Sequence, residues 1–202
     1  FLLPLYVILY FKTKKFSIIN FILIPIVNVI LYMPAFFVGV KVNKIWNVYI
    51  GQMKSVDYGL IFNFPSMYNL LPENGQYLKP LGIIFVLIII GLITLFWLHT
   101  KNHIQELDII KLAMILIIVL TYFLPAMHDR YMFFADIISI VYFICTKKIV
   151  CSIVINFMSL NVYSIYLFGN QIIDLKLCAI IQLVVIVILL KEFYFKKGVL
   201  ER

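Results

Sequence analysis

Residues 128–131 form a polar cluster between two apolar stretches that are each long enough to cross a bilayer, and its members are His128, Asp129, Arg130 and Tyr131. A charge at membrane depth costs about 2.5–3.5 kcal/mol on insertion scales, so a charged cluster at such a position indicates a functional site. The alternative interpretation is a helix end whose Arg and His merely extend to the lipid headgroups. A lone Arg favours that alternative, whereas these four residue types in direct succession favour a site.

Arg130 indicates which chemistry such a site would perform. It is the only arginine besides Arg202 in a chain that otherwise uses lysine for its cations. The planar guanidinium binds an oxyanion through two parallel hydrogen bonds, which the ammonium group of a lysine does not reproduce. The residue type therefore predicts oxyanion binding at Arg130.

Asp136 is a further candidate because it follows Asp129 by seven residues, which places it two helical turns further along the same face. Two interpretations of this carboxylate remain open. Asp136 is either a structural partner for a cation or a second carboxylate that lines the site.

The composition identifies an integral membrane protein. Of the 202 residues, 64% are apolar and 13% are charged, and the mean hydropathy is +1.08, whereas about 25% of residues are charged in soluble domains. The net charge of +8 is spread over short loops between apolar runs, so we expect no nucleic-acid partner. The three cysteines lack ligand spacing and soluble-enzyme motifs are absent, so we expect neither a metal site nor a cofactor.

The apolar runs predict an all-α fold, namely a polytopic membrane helix bundle of about six full transmembrane helices plus the end of another. The six predicted spans cover residues 16–40, 80–98, 109–127, 131–146, 149–167 and 172–190, and residues 1–11 form the partial one. We expect residues 1–202 to be a single transmembrane region and the C-terminal fragment of a larger protein. Polar side chains within the spans are typical of interhelical hydrogen bonding, and they include Asn156, Ser159 and Asn161.

The distribution of lysine and arginine predicts the orientation. When successive loops are assigned to alternating faces of the membrane, eleven of the 17 lysines and arginines fall on one face and six on the other. The positive-inside rule then places the C-terminus in the cytoplasm of a multi-pass cell-membrane protein. Residues 41–80 and the turn at His128 lie together on the outer face, where they are expected to build one site.

The long external loop, residues 41–80, has an internal pattern of its own. Residues 42–53 predict an amphipathic helix lying in the headgroup plane or packed over the bundle, and its apolar face carries Val42, Ile45, Trp46, Tyr49, Ile50 and Met53. Aromatic residues are frequent between residues 57 and 77. They suit stacking on a sugar or holding a lipid chain, and equally they suit anchoring at the membrane interface.

Four motifs resemble a known family of membrane enzymes. They are Pro-Ala-x-x-x-Gly at residues 34–39, Tyr49 with Gln52, Asn-Phe-Pro-Ser-Met-Tyr at residues 63–68, and Met-His-Asp-Arg-Tyr-Met-Phe-Phe-Ala-Asp at residues 127–136. In this order they resemble the C-terminal half of bacterial GT-C type membrane glycosyltransferases related to the second mannosyltransferase of GPI-anchor synthesis. The catalytic carboxylate of such enzymes is expected in a first external loop that would precede this chain, so the catalytic residue here is unknown.

The resemblance implies transfer of a sugar from a polyprenyl-phosphate-linked donor to a cell-envelope glycan or lipid acceptor on the outer face, in contact with membrane lipid. The donor site would comprise His128, Asp129, Arg130 and Tyr131: Arg130 would bind the phosphate with His128 assisting, and Asp129 or Tyr131 would orient the guanidinium. The site would be lined by Tyr49, Gln52, Tyr68 and Asp136. The alternatives are a lipid-linked saccharide translocator or a polymerase without this chemistry. A translocator would have cationic side chains along a path through the membrane, and a polymerase would have arginine-rich external loops. The sequence has neither pattern.

Overall fold

The computed structural model describes residues 2–14, 17, 19–45, 47, 59–72, 76–99 and 104–195. Within these ranges the chain has no β-strand, and it has seven α-helices with described bounds besides the helical residues 42–45 and 47. This confirms the all-α prediction for this part. The helices are α1 (Leu3–Thr13), α2 (Ile19–Phe37), α3 (Lys79–His99), α4 (Glu106–Phe123), α5 (Phe133–Thr146), α6 (Ile149–Phe168) and α7 (Leu175–Phe195). Short 3-10 turns occur at Met67–Leu70, Gln76–Leu78 and Asp129–Met132.

Three of the described helices, α2, α3 and α6, are long and apolar enough to cross a membrane. The other helices depart from that pattern in different ways. Helix α4 has Glu106, Asp108 and Lys111 in its first two turns, and α5 is only 14 residues long because a 3-10 turn precedes it. Three of the predicted spans therefore form helices whose length and composition are suitable for crossing a membrane, and the number of about six spans stays a prediction.

Helix α4 begins earlier than the sequence predicts. A polar connection is expected up to Asp108, but the helix already starts at Glu106. The reason is that the Asp108 carboxylate accepts a hydrogen bond from the backbone N–H of Gln105, at 3.0 Å. This contact satisfies a donor that a helix N-terminus otherwise leaves unpaired.

Helix α4 is the centre of the bundle. It is packed against α1, α3, α5 and α7, and its residues 112–122 are buried without a break. Helix α2 is the opposite case, since none of its residues is buried and its apolar side chains are exposed. Because α4 is enclosed on several sides, the chain that leaves its C-terminal end starts from a fixed position.

Polar side chains join α5 to α6, as the sequence predicts for Asn156 and Ser159. The Nδ2 of Asn156 donates to the Ser139 hydroxyl at 3.0 Å, and the Ser159 hydroxyl donates to Asp136 at 2.5 Å. Such bonds hold neighbouring helices together where apolar surface alone gives little specificity.

Asn161 holds the connection between α6 and α7, and it is fully buried. Its Oδ1 accepts the backbone N–H groups of Ile172 and Ile173, at 2.8 and 2.9 Å, and its Nδ2 donates to the carbonyl of Ile173 at 3.0 Å. One side chain thereby satisfies three backbone groups of the turn that precedes α7.

Candidate functional site

The polar cluster lies in the turn between α4 and α5. Pro125 lacks a backbone N–H and therefore cannot continue α4, and Ala126 adopts a left-handed conformation with φ of 57°. This conformation costs a residue with a Cβ about 1 kcal/mol. The Ala126 N–H donates to the carbonyl of Leu60 at 3.0 Å, so the long loop fixes the turn in this shape.

His128 has two aromatic rings as neighbours. The ring of Phe62 in the long loop is 4.5 Å from the imidazole and tilted by 47°, and the ring of Tyr131 is 6.4 Å away and nearly perpendicular. The His128 carbonyl also accepts the N–H of Tyr131 at 3.1 Å, which closes the 3-10 turn. These contacts restrict the imidazole, which is half-buried.

Arg130 and Tyr131 face outward from the same turn. Arg130 is exposed, and Tyr131 keeps 40% of its surface accessible. Asp129 is part of the 3-10 turn, but its side chain lies outside the described structure. The turn therefore presents a guanidinium and a phenol at the surface, two and three residues after the half-buried imidazole of His128.

Met132 anchors the far end of the cluster inside the bundle. It is 1% exposed, and its sulfur receives the hydroxyl of Thr121 at 3.6 Å and the Nε2 of Gln182 at 3.9 Å. Helices α4 and α7 thus hold the end of the turn together. Sequence reasoning missed Thr121 and Gln182, and the only local signal for them is a polar residue within an apolar run.

Tyr68, a predicted lining residue, fastens the long loop to the end of α4. It is 1% exposed, and its hydroxyl donates to the carbonyl of Phe123 at 2.8 Å. Burial raises the pKa of the Tyr68 hydroxyl, which keeps it protonated as a donor. Because this hydroxyl is already bonded to the backbone, Tyr68 contributes its ring rather than its hydroxyl to a neighbouring surface.

That surface is an apolar groove between the long loop and α3, with a volume of about 350 Å³. Its walls are Met67, Tyr68, Leu71, Leu78, Leu81, Gly82 and Phe85. Pro125 approaches within 3.4 Å of the position that a side chain on Gly82 would occupy. The groove therefore adjoins the turn that carries the polar cluster, which we call the α4–α5 turn.

Asp136 lies in the first turn of α5, half-buried, where it accepts the hydrogen bond from Ser159 of α6. No cation pairs with it among the residues that the structure describes. The described residues thus give no support to the interpretation of Asp136 as the partner of a cation. They show instead that Asp136 joins α5 to α6.

Two predicted lining residues, Tyr49 and Gln52, lie outside the described residues. The same holds for most of the predicted amphipathic helix at residues 42–53, of which residues 42–45 and 47 are described and helical.

No family model, no curated protein and no solved structure matches this chain.

Proposed function

We propose that this chain belongs to an integral membrane glycosyltransferase that moves a sugar from a polyprenyl-phosphate-linked donor to a glycan or lipid acceptor at the outer membrane surface. One observation carries the proposal. The exposed Arg130 and the half-buried His128 lie in a turn that the long loop fixes through Leu60 and Phe62. An apolar groove adjoins the same turn.

The polar cluster suits the leaving group of this reaction. When the sugar departs, negative charge develops on the lipid phosphate, and a cation placed there in advance stabilises the transition state. Arg130 would bind two phosphate oxygens side by side, and His128 would supply a further donor. Since Phe62 and Tyr131 restrict the imidazole, little conformational freedom is lost when the phosphate binds.

The apolar groove suits the polyprenyl chain. Apolar atoms form its walls, and burial of each CH₂ group of a ligand is worth about 0.8 kcal/mol. Tyr68 belongs to the groove and is bonded to Phe123, two residues before Pro125. A lipid held there would keep its phosphate close to the α4–α5 turn.

We also propose that α2 to α7 are the six spans, with the α4–α5 turn outside and the C-terminus in the cytoplasm. The supporting observation is that Lys111 and Lys148 both approach Glu192, at the end of the bundle opposite to the α4–α5 turn. The positive-inside rule assigns these two lysines to the cytoplasmic face, and they share one end.

The proposal is tested by measuring sugar transfer from a labelled polyprenyl-phosphate sugar in membranes that contain the full-length protein. We expect His128→Gln to lower transfer, because the imidazole assists the departing phosphate. His99→Gln is the matched control, since His99 is exposed in the last turn of α3. Passage of the lipid across the membrane without transfer would instead support a translocator.

A further inference from the structure

A second groove lies between α6 and α7, at the end of the bundle opposite to the α4–α5 turn. Its volume is about 480 Å³, and its apolar walls include Val150 and Val154 of α6 and Ile181, Val184, Val185 and Ile188 of α7. Two lysines and one carboxylate, Lys147, Lys148 and Glu192, form its mouth. The groove is open along the side of the bundle, since Val150, Val184 and Ile188 are exposed.

The mouth carries an excess of positive charge. Lys148 is paired with Glu192, and Lys111 approaches the same carboxylate at 4.0 Å. The hydroxyl of Tyr142 donates to Glu192 at 3.0 Å. At the mouth itself, the two lysines Lys147 and Lys148 face the single carboxylate of Glu192, which leaves a local charge of +1.

Lys147 is the cation of this cluster that is open to a ligand. It is exposed, and no carboxylate pairs with it in the described part of the chain. Its backbone has a left-handed φ of 61°, and its N–H donates to the carbonyl of Phe143 at 2.7 Å, which ends α5. The backbone thus fixes the base of a lysine side chain directly beside the apolar groove.

We infer that the α6–α7 groove binds an anionic phospholipid, with the phosphate at Lys147 and Lys148 and one acyl chain along the apolar walls. Charge complementarity selects this occupant, because a surplus of lysine at headgroup level attracts anionic lipid by about 1 kcal/mol for each cation. The walls on α7 extend from Ile181 to Ile188, or roughly 10 Å at the rise of an α-helix. This length suits the upper part of an acyl chain beneath its headgroup.

The inference is independent of sugar transfer, because it concerns the opposite end of the bundle and requires only that the protein lies in a membrane. It also places the bound lipid in the leaflet that the positive-inside rule assigns to the cytoplasm, where anionic lipids are abundant. If the protein does not bind anionic lipid at this groove, the proposed sugar transfer at the α4–α5 turn is neither supported nor contradicted.

The test is lipid binding to the purified full-length protein in neutral detergent. Phosphatidylglycerol and phosphatidylcholine with identical acyl chains are titrated, and retained lipid is counted by native mass spectrometry. We expect phosphatidylglycerol to bind more tightly, and Lys147→Gln to weaken it about fivefold. The matched control is Lys176→Gln, which removes an exposed lysine at the other end of α7 and should leave the affinity unchanged.

A second variant tests the apolar walls. Val184→Trp places a large ring in the groove at an exposed position, so it should displace the acyl chain without disturbing the core. We expect it to reduce retention of phosphatidylglycerol as strongly as Lys147→Gln does. Equal affinity of the two lipids for the unaltered protein, or equal losses for Lys147→Gln and Lys176→Gln, would overturn the inference.

Discussion

The ring of Phe62 in the long loop lies 4.5 Å from the imidazole of His128 in the α4–α5 turn. The two residues are far apart in the sequence, so this contact joins two segments into one surface. Aromatic pairs contribute about 0.5–1.5 kcal/mol beyond the area they bury. The contact therefore ties the position of the imidazole to the position of the loop.

Phe62→Ala is expected to lower sugar transfer about threefold to tenfold, because the imidazole loses one of its two neighbouring rings. Protein abundance should change little, since Phe62 is only half-buried. Leu70→Ala is the control, as Leu70 is exposed in the same loop. A loss of abundance that accounts for the whole loss of transfer would show that Phe62 serves stability alone.

Gly82 allows the close approach between α3 and Tyr68. A Cβ at this position would overlap the Tyr68 hydroxyl and come within 3.4 Å of Pro125. Gly82→Ala should therefore displace Tyr68 from its bond to Phe123 and cost about 1–3 kcal/mol of stability. Thermal unfolding of the detergent-solubilised protein measures the effect.

The same helix offers a matched control, because a Cβ on Gly91 would meet no atom within 4 Å. Gly91→Ala should leave the unfolding temperature unchanged or raise it, since alanine favours a helix by about 0.5–1 kcal/mol over glycine. Equal effects of the two substitutions would mean that the contact between Gly82 and Tyr68 does not constrain the loop.

Asn161→Ala removes the partner of three backbone groups in the connection between α6 and α7. A buried group left unpaired costs about 1–3 kcal/mol and these three are partly buried, so the variant should be clearly destabilised. Asn28→Ala is the comparison, because Asn28 is exposed and its side chain donates to the carbonyl of Ile24 in its own helix. Thermal unfolding of both variants should separate them clearly, and similar unfolding temperatures would contradict the role of Asn161.

The orientation is tested with single cysteines in a background without Cys145, Cys151 and Cys178. We expect Asn170→Cys, between α6 and α7, to react with a membrane-impermeant thiol reagent in intact cells. Lys191→Cys, in the last turns of α7, should react only after the membrane is permeabilised. Both positions are exposed, so burial does not limit the reaction. The reverse pattern would invert the proposed topology.

Much of the helical layout could be predicted because apolar runs of membrane length are a local property of the sequence. The predicted span at residues 149–167 agrees with α6 (Ile149–Phe168) within one residue. The structure starts α4 earlier than the sequence predicts, because an acidic residue that caps a helix N-terminus is also typical of a polar loop. Asp108 shows this ambiguity.

The surroundings of the candidate site could not be predicted to the same extent. The polar cluster itself was found from residue types alone, since His128 and Arg130 interrupt apolar runs. Its partners Phe62 and Gln182 come from distant segments, and no local periodicity indicates which distant residues will meet. The hydrogen bond that occupies the Tyr68 hydroxyl depends in the same way on the tertiary fold.

Substitution of Arg130 tests the proposed function most directly. Transfer from a polyprenyl-phosphate sugar is measured for Arg130→Lys and Arg130→Ala in the full-length protein, together with membrane abundance. Lys176→Gln is the control, because Lys176 is an exposed cation on the same predicted face. Loss of a contact that strengthens as the phosphate departs should cost on the order of 3 kcal/mol, or about a hundredfold in rate.

Because lysine does not reproduce the bidentate contact, Arg130→Lys should be nearly as damaging as Arg130→Ala, with abundance unchanged in both. The control should retain full transfer. If Arg130→Lys instead transfers sugar at the normal rate, and Arg130→Ala fails only through lower abundance, then Arg130 anchors a helix end and the phosphate binds elsewhere.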